Sequence, residues 1–159
     1  MAKASKTGLA VSVVHLLHRA SQNADQIFAR TVGREVTPRQ FAVLAAVWRS
    51  KATSQVGIVA ATGIDRSSTA ELVHRLVARG LLRRRRAKRD TRFYVVRLTP
   101  KGQDIFDRLL PATQTADIAI LNPVTAPDRV KLLQILERIA TAHPTPARDG
   151  ALQRPDVDL

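Results

Sequence analysis

Apolar residues recur every three or four positions along the first part of the chain. Between residues 9 and 32 no proline or glycine interrupts this spacing, which predicts one helix of about six turns at ~3.6 residues per turn. Gly33 follows as a stop signal. Residues 1–8 are small, polar and basic, and we expect them to form a loose arm.

A capping signal begins the second helix. Thr37 can accept a hydrogen bond as N-cap, Pro38 fits the first turn, and Gln40 can reach back as a capping-box partner. The apolar spacing continues towards Ser50, where we expect this helix to end.

Two further helices follow in close succession. Residues 54–61 form a short predicted helix that ends at Gly63, and Asp65 is placed to cap a longer helix over residues 66–79. A short helix, a glycine turn and a second helix with polar residues on one side predict a helix-turn-helix.

The pattern then changes from helical to strand-like. Arginines at 83–86 lead through a basic tip into residues 92–99, which are rich in β-branched and aromatic types, and this predicts a β-hairpin. Helical spacing resumes at Pro100 and continues past Pro111, which should kink or divide the helix. A last helix is predicted to begin near Asp128.

Positive charge is concentrated around the helix-turn-helix and the hairpin. The 159-residue chain carries 26 Lys and Arg against 13 Asp and Glu, a net charge of +13. Twelve of the basic residues but only three acids lie between Asp65 and Lys101. A cluster that is nearly all one sign repels itself and suits a polyanion such as DNA.

Composition argues against several other classes of protein. Without cysteine there are no disulfides, thiolate metal sites or cysteine redox sensors. We see no membrane-spanning run and no signal-peptide core, so we expect a cytoplasmic protein that joins the nucleoid when bound to DNA. The absence of a nucleophile–base pair, a phosphate-binding glycine loop or an acidic dyad argues against an enzyme. Scarce aromatic residues argue against RNA binding through base stacking.

Two motifs in the basic region resemble a known family. Residues 63–81 read GIDRSSTAELVHRLVARGL, and residues 89–92 and 96–102 read RDTR and VRLTPKG. They resemble the recognition helix and the wing signature of MarR-type regulators, the multiple-antibiotic-resistance regulator family. The similarity extends over about residues 9–142. Gly57 departs from it, since the family usually has an acidic residue in the third helix.

The resemblance implies a mainly α fold with a small β-hairpin wing, in which a winged helix-turn-helix joins a helical dimerisation region. Residues 9–33 and 101–142 would form the dimerisation region, residues 34–100 the DNA-binding domain, and residues 1–8 and 143–159 flexible tails. The apolar stripes of the first and last helices cannot all be covered within so short a chain, which independently favours a homodimer.

The fourth helix is expected to enter the major groove, where base edges distinguish all four pairs. We expect contacts above all from Ser68 and Arg75, with Asp65 acting only as a cap. The resemblance implies that Arg92 enters the minor groove and that Asp90 orients it. The predicted DNA contacts are Arg66, Ser67, Ser68, Thr69, His74, Arg75, Arg84, Arg86, Lys88, Arg89, Asp90 and Arg92.

Many MarR-type proteins respond to small aromatic acids, which implies a pocket built from the first, second and fifth helices. The run HLLHRA at residues 15–20 is similar to regulators of aromatic-acid catabolism. Candidates to hold a carboxylate and pack a ring are His15, His18, Arg19, Arg39, Phe41, Trp48 and Phe106. Simpler roles stay open as alternatives. Trp48 would then be a core residue, Arg39 would face solvent, and the two histidines would lie in an interface. No cofactor or metal site is expected, because His15 and His18 lack further zinc ligands.

The sequence therefore predicts a transcription regulator, in the role of a repressor, that binds a pseudo-palindromic operator as a homodimer. A small aromatic carboxylate or its thioester would release it. Half-sites would lie ~34–36 Å apart. A ligand-independent architectural protein on the same fold is the alternative. Replacing Arg92 by Ala should weaken DNA binding and reduce its salt dependence.

Overall fold

The computed structural model describes residues 12–86 and 94–142, which form helices and one β-hairpin. The helices are α1 Val13–Thr31, α2 Pro38–Ser50, α3 Gln55–Thr62, α4 Arg66–Ala78, α5 Pro100–Leu121 and α6 Ala126–Thr141, and the strands are β1 Leu82–Arg86 and β2 Tyr94–Leu98. The predicted fold class, mainly α with a small hairpin, is confirmed. Of the described residues, those up to Thr125 form one compact unit, and those from Ala126 form another.

Capping side chains determine where the helices begin. The Gln40 N–H donates to the Thr37 hydroxyl at 3.2 Å, and the Thr37 N–H donates to the Gln40 side chain at 3.1 Å, which completes the predicted capping box. Ser54 accepts from the Gly57 N–H at the start of α3, and Gly63 ends that helix in the left-handed conformation. Since these signals are local in the chain, the boundaries of α2 and α3 agree closely with the sequence prediction.

The core lies where α2, α3 and α4 meet the hairpin and α5. The α2 side chains of Val43, Leu44 and Val47 are fully buried. The other large apolar side chains of the core are Val32, Val36, Ile58, Val73, Leu76, Leu81, Leu82, Val96, Ile105, Phe106 and Leu109. This packing presents one face of α4 to the core and leaves the opposite face exposed.

The two strands pair antiparallel, with Leu82 opposite Leu98 and Arg84 opposite Val96. Thr53 extends this sheet through two backbone hydrogen bonds with Val96, at 3.1 and 2.7 Å. The base of the hairpin is therefore anchored to the connection between α2 and α3.

The start of α5 approaches the end of the helix-turn-helix too closely for a side chain at position 102. A Cβ on Gly102 would lie 2.0 Å from the Leu81 carbonyl oxygen. The Thr99 hydroxyl donates to the Gly80 carbonyl oxygen at 2.6 Å and accepts from the Gly102 N–H at 3.0 Å. These contacts explain why a glycine follows Thr99 by three residues in the VRLTPKG segment, and they fix α5 to the hairpin base.

Of the two expectations for Pro111, a kink or a division, the division of the fifth helix is wrong. Helix α5 continues through Pro111. Leu109 and Thr113 are buried on either side of the proline. Their packing offsets the cost of an interior proline, which is about 3 kcal/mol.

Residues 1–11, 87–93 and 143–159 lie outside the described part of the chain. The predicted tails and the first residues of the predicted first helix fall there. Within the ranges that the structure describes, none of the helices is long and apolar enough to cross a membrane.

Candidate nucleic-acid interface and ligand cavities

Asp65 caps the recognition helix α4, as the sequence predicted. Its carboxylate accepts from the Ser68 N–H at 2.8 Å and from the Ser67 hydroxyl at 2.7 Å. The hydrogen bonds from Ser68, and then those from Ser67, hold the pKa of the Asp65 carboxyl well below its usual range. The carboxylate thus stays charged and occupies the helix N-terminus, which favours negative charge.

The exposed face of α4 carries five of the twelve predicted DNA contacts. Arg66, Ser67, His74 and Arg75 are exposed, and Ser68 is half-buried. Glu71 forms an ion pair with Arg75 from one turn earlier, although both side chains remain mostly in solvent. This pair orients the Arg75 guanidinium on the outer face of the helix.

Thr69 is a wrong assignment among the predicted DNA contacts. Its side chain is fully buried, and its hydroxyl donates to the Ile64 carbonyl oxygen at 3.2 Å. It therefore stabilises the turn that joins α3 to α4 and presents no atom to DNA. Its polar character suggested an outer position, but in α4 it lies on the inner face.

The hairpin continues the basic surface beyond α4. Arg84 and Arg86 are exposed and lie on one face of β1. The Arg84 guanidinium stacks over the Tyr94 ring, 4.6 Å from its centroid, which restricts its orientation. The other predicted hairpin contacts, Lys88, Arg89, Asp90 and Arg92, lie outside the described residues.

Arg79, at the end of α4, is a positioning residue that the sequence did not reveal. Its guanidinium donates to the Glu35 carbonyl oxygen at 2.7 Å and to the Gln40 side chain at 3.3 Å. Lys101 donates to the Arg79 carbonyl oxygen at 3.2 Å. The recognition helix is thereby fastened to the start of α2 and to α5, through partners far apart in the sequence.

Four aromatic side chains of α1, α2 and α5 form a continuous series of ring contacts. The ring centroids are 6.4 Å apart for Phe28 and Phe41, 5.2 Å for Phe41 and Phe106, and 5.0 Å for Trp48 and Phe106. The last two pairs are stacked, whereas the first is tilted. The sequence had proposed Phe41, Trp48 and Phe106 as neighbours, and the structure brings them together.

A cavity of about 360 Å³, which we call the helical cavity, lies between α1, α2 and α5. Phe28 and Phe41 form its aromatic wall, while Asp25 and Asp117 are its charged groups. Burial raises the pKa of the Asp117 carboxyl. The remaining lining residues are Ala24, Pro38, Ala42, Leu110, Thr113, Gln114 and Ile120. The location agrees with the predicted pocket, but its charge is negative.

The predicted carboxylate-binding residues do not line this cavity. His15, His18 and Arg19 are exposed on the first turns of α1, and Arg39 is exposed at the start of α2. Trp48 and Phe106 line a neighbouring cavity of about 440 Å³, again without those four residues. Within this chain the seven candidates therefore do not line one cavity, and the role of these four residues in ligand binding stays a prediction. Helical spacing put the histidines on one face of α1, but they lie at least one and a half turns before Ala24, the first residue of α1 that lines the cavity.

Metal binding finds no support in the described ranges, 12–86 and 94–142. They hold no group of three His, Asp or Glu side chains placed to bind a metal ion.

Comparisons with known proteins agree with this architecture. The MarR family profile matches residues 35–92. The PcaV regulator of Streptomyces coelicolor, solved with its natural ligand, is 32% identical, with a TM-score of 0.80 over 89% of this chain and 99% of that chain. BpsR of Bordetella bronchiseptica, whose DNA binding is regulated by 6-hydroxynicotinic acid, is 29% identical, with a TM-score of 0.79 over 89% and 100%.

A curated relative gives the same classification. The transcriptional repressor NicR of Pseudomonas putida is 29% identical over 128 residues, which cover 80% of this chain and 81% of NicR. NicR and PcaV are thus transcription regulators, and BpsR is a protein whose DNA binding is regulated. The chain contains a helix-turn-helix and a hairpin, and it is more than 30% identical to PcaV along most of its length. It therefore belongs to the MarR family of winged helix-turn-helix transcription regulators.

Proposed function

We propose that the chain is a ligand-responsive repressor that binds a pseudo-palindromic operator as a homodimer and leaves it when a small aromatic acid or its thioester binds. The observation that carries this proposal is the exposed polar and basic face of α4, continued by the arginines of β1. Operator binding would place the protein on the nucleoid.

The proposed base-reading residues are Ser68 and Arg75, flanked by Arg66, Ser67 and His74. Arginine recognises guanine through two parallel hydrogen bonds in the major groove. The Glu71 ion pair supports this role for Arg75, because it reduces the number of side-chain conformations that DNA must select. Arg84 and Arg86 would contact phosphates, and Lys88, Arg89, Asp90 and Arg92 keep their proposed places at the wing tip.

Exposed apolar surface supports the homodimer. In α1, Val13 and Val14 are 67% and 76% exposed, and no residue of this helix is buried. In α6, Val130 and Leu133 are 65% and 53% exposed. A helix face of this kind costs free energy in water and marks a surface for a partner. We therefore propose residues 9–33 and 101–142 as the dimerisation region and residues 34–100 as the DNA-binding domain.

The effector is proposed from two related proteins. BpsR responds to 6-hydroxynicotinic acid, and PcaV was solved with its natural ligand. Cavities of a suitable size lie along the aromatic series of this chain. A ligand would contact His15, His18 and Arg19 only if a second copy of the chain packed against the first turns of α1.

The proposal is tested with DNA that flanks the gene, by fluorescence anisotropy over a range of salt concentrations. Arg75→Gln should weaken binding by about 1–3 kcal/mol, the value of one bidentate base contact. Arg30→Gln is the matched control, because Arg30 is an exposed cation of α1. Equal losses in the two variants would remove Arg75 from the interface.

The effector is tested with the same DNA and a panel of aromatic carboxylates and their thioesters. Release of the DNA, together with increased transcription from a reporter, is the expected result. DNA binding that no compound changes would favour the ligand-independent architectural protein. Reduced transcription on release would identify an activator instead of a repressor.

A further inference from the structure

A further concave surface lies at the base of the hairpin, apart from the two cavities described above. It has a volume of about 460 Å³, within the range of small-molecule sites. We call it the wing-base cleft. Its walls are the end of α2, both strands of the hairpin and the first turn of α5. The lining residues are Val47, Trp48, Arg49, Lys51, Arg83, Arg97, Leu98 and Gln103.

The charge of this cleft is entirely positive. Arg49, Lys51, Arg83 and Arg97 line it, and its walls contain no Asp or Glu. Across residues 12–86 and 94–142, no ion pair or hydrogen bond joins any of these four cations to a carboxylate. Four unneutralised cations around one concavity create a focused positive potential that attracts a small anion.

The strand register places two of these cations in direct opposition. Arg83 of β1 pairs with Arg97 of β2. Like charges at opposed positions of an antiparallel pair destabilise the sheet. An anion bound between the two guanidinium groups would convert this repulsion into two charge-assisted interactions.

Backbone strain occurs at a third cation of the cleft. Lys51 ends α2 with φ = 55°, and within the described ranges it is the only residue other than glycine with positive φ. This conformation suits glycine, whereas other residues adopt it at a cost. A lysine at this position keeps a positive charge on the rim of the cleft.

The cleft also offers an aromatic surface. Trp48 stacks on Phe106 and remains 45% exposed. The indole can therefore pack against a ring at the edge of the basic surface. Cations around an exposed indole are complementary to an aromatic ring that bears a carboxylate.

We propose that the wing-base cleft binds a small aromatic carboxylate, with the carboxylate between Arg83 and Arg97 and the ring against Trp48. This assignment deepens the proposed function, and its link to operator release rests on that function. A ligand here would contact the end of α2, both wing strands and the start of α5 together. It would therefore favour one position of the hairpin over others.

Trp48 provides a direct readout, because it is the only tryptophan of the chain. Its fluorescence is titrated with benzoate and with 6-hydroxynicotinate, and benzamide serves as the uncharged control. The double variant Arg83→Gln/Arg97→Gln should bind the carboxylates at least about tenfold more weakly. Arg85→Gln is the matched control, because it removes a cation of β1 that does not line the cleft. It should bind like wild type.

Two results would overturn the assignment: unchanged carboxylate affinity in the double variant, or no saturable response of the wild type at millimolar concentration. The variants are checked by circular dichroism. If the double variant does not fold, Arg97→Gln alone is titrated against the same criterion. Arg83→Lys/Arg97→Lys keeps both charges and should retain more affinity than the glutamine pair.

The same variants distinguish this site from a DNA contact and from the proposed function. If the cleft holds a DNA phosphate instead, the double variant will lose DNA affinity and salt dependence without added carboxylate, while its carboxylate binding stays at the wild-type level. That result overturns the assignment. If wild-type protein binds benzoate through these arginines but keeps its DNA, the cleft is confirmed and effector control fails.

Discussion

The helical cavity and the wing-base cleft lie at different parts of one aromatic series and differ in charge. Phe28 and Phe41 line the helical cavity beside Asp25 and Asp117. Trp48 lines the cleft beside four cations. Phe106 stacks on both Phe41 and Trp48 and so supports the two sites together. An aromatic ring would fit against either wall, whereas a carboxylate is repelled by one site and attracted by the other.

This difference teaches that the shape of a pocket and its position in the fold do not determine the charge of its ligand. The helical cavity would suit a neutral ring or one whose charge is met from another chain. The cleft would suit an anion within a single chain. Variants at Phe106, then in the cleft, and then at one charge of the helical cavity should separate these possibilities.

Phe106→Ala should have the largest effect, because Phe106 is fully buried between the two aromatic walls. Loss of its ring should lower the free energy of unfolding by about 3–5 kcal/mol, as measured by urea denaturation. Both sites should lose affinity for ring compounds. Phe106→Leu is the control, since it retains apolar volume. A loss of binding at one site only would show that Phe106 does not support both.

Gly102→Ala should disrupt the cleft while leaving the walls of the helical cavity in place. The added Cβ would meet the Leu81 backbone at 2.0 Å, where α5 joins the hairpin. We expect a loss of about 3 kcal/mol in the free energy of unfolding, by urea denaturation, and weaker benzoate binding. Gly57→Ala is the contrasting variant, because its Cβ would meet the Thr53 hydroxyl, the end of a side chain that can rotate. Equal losses would contradict the distinction between a backbone clash and a side-chain clash.

The sequence predicted best those features that depend on neighbouring residues. The capping box at Thr37 and Gln40 and the cap at Asp65 are complete within one turn, so their patterns were sufficient. Pro111 does not divide α5 as one of the two expectations had it, because packing with distant residues holds the helix together. Thr69 was misjudged because its residue type does not reveal which face of α4 is covered.

The candidate sites depend on distant residues even more than the helix boundaries do, so less of them could be predicted from the sequence. The sequence placed Phe41, Trp48 and Phe106 together through the family resemblance, and the structure stacks them. It could not assemble the cleft, because Lys51, Arg83 and Arg97 lie at the ends of different elements. Only the pairing of β1 with β2 and their contact with the end of α2 bring these charges together. In the sequence they look like ordinary solvated cations.

Asp117→Asn should have the smallest effect, and that effect should depend on pH. Burial raises the pKa of this carboxyl, so the folded protein binds its proton more strongly than the unfolded chain does. The destabilisation is therefore absent at low pH, appears as the pH rises through the window between the unfolded and folded pKa values, and persists above it. The Asn variant should match wild type in urea denaturation at about pH 3 and be slightly more stable at about pH 7. Asp25→Asn, at an exposed carboxylate of the same cavity, should change stability less.

The same substitution tests which site accepts an anion. Asp117→Asn removes a negative charge from the helical cavity and leaves the cleft intact. If benzoate binds in the cleft, its affinity should stay near the wild-type value, since the carboxylate never approaches position 117. If benzoate binds in the helical cavity, its affinity should rise, because a repulsive charge next to it has been removed. Tighter binding by Asp117→Asn, with no loss in Arg83→Gln/Arg97→Gln, would reverse the comparison and make the helical cavity the site of the acid.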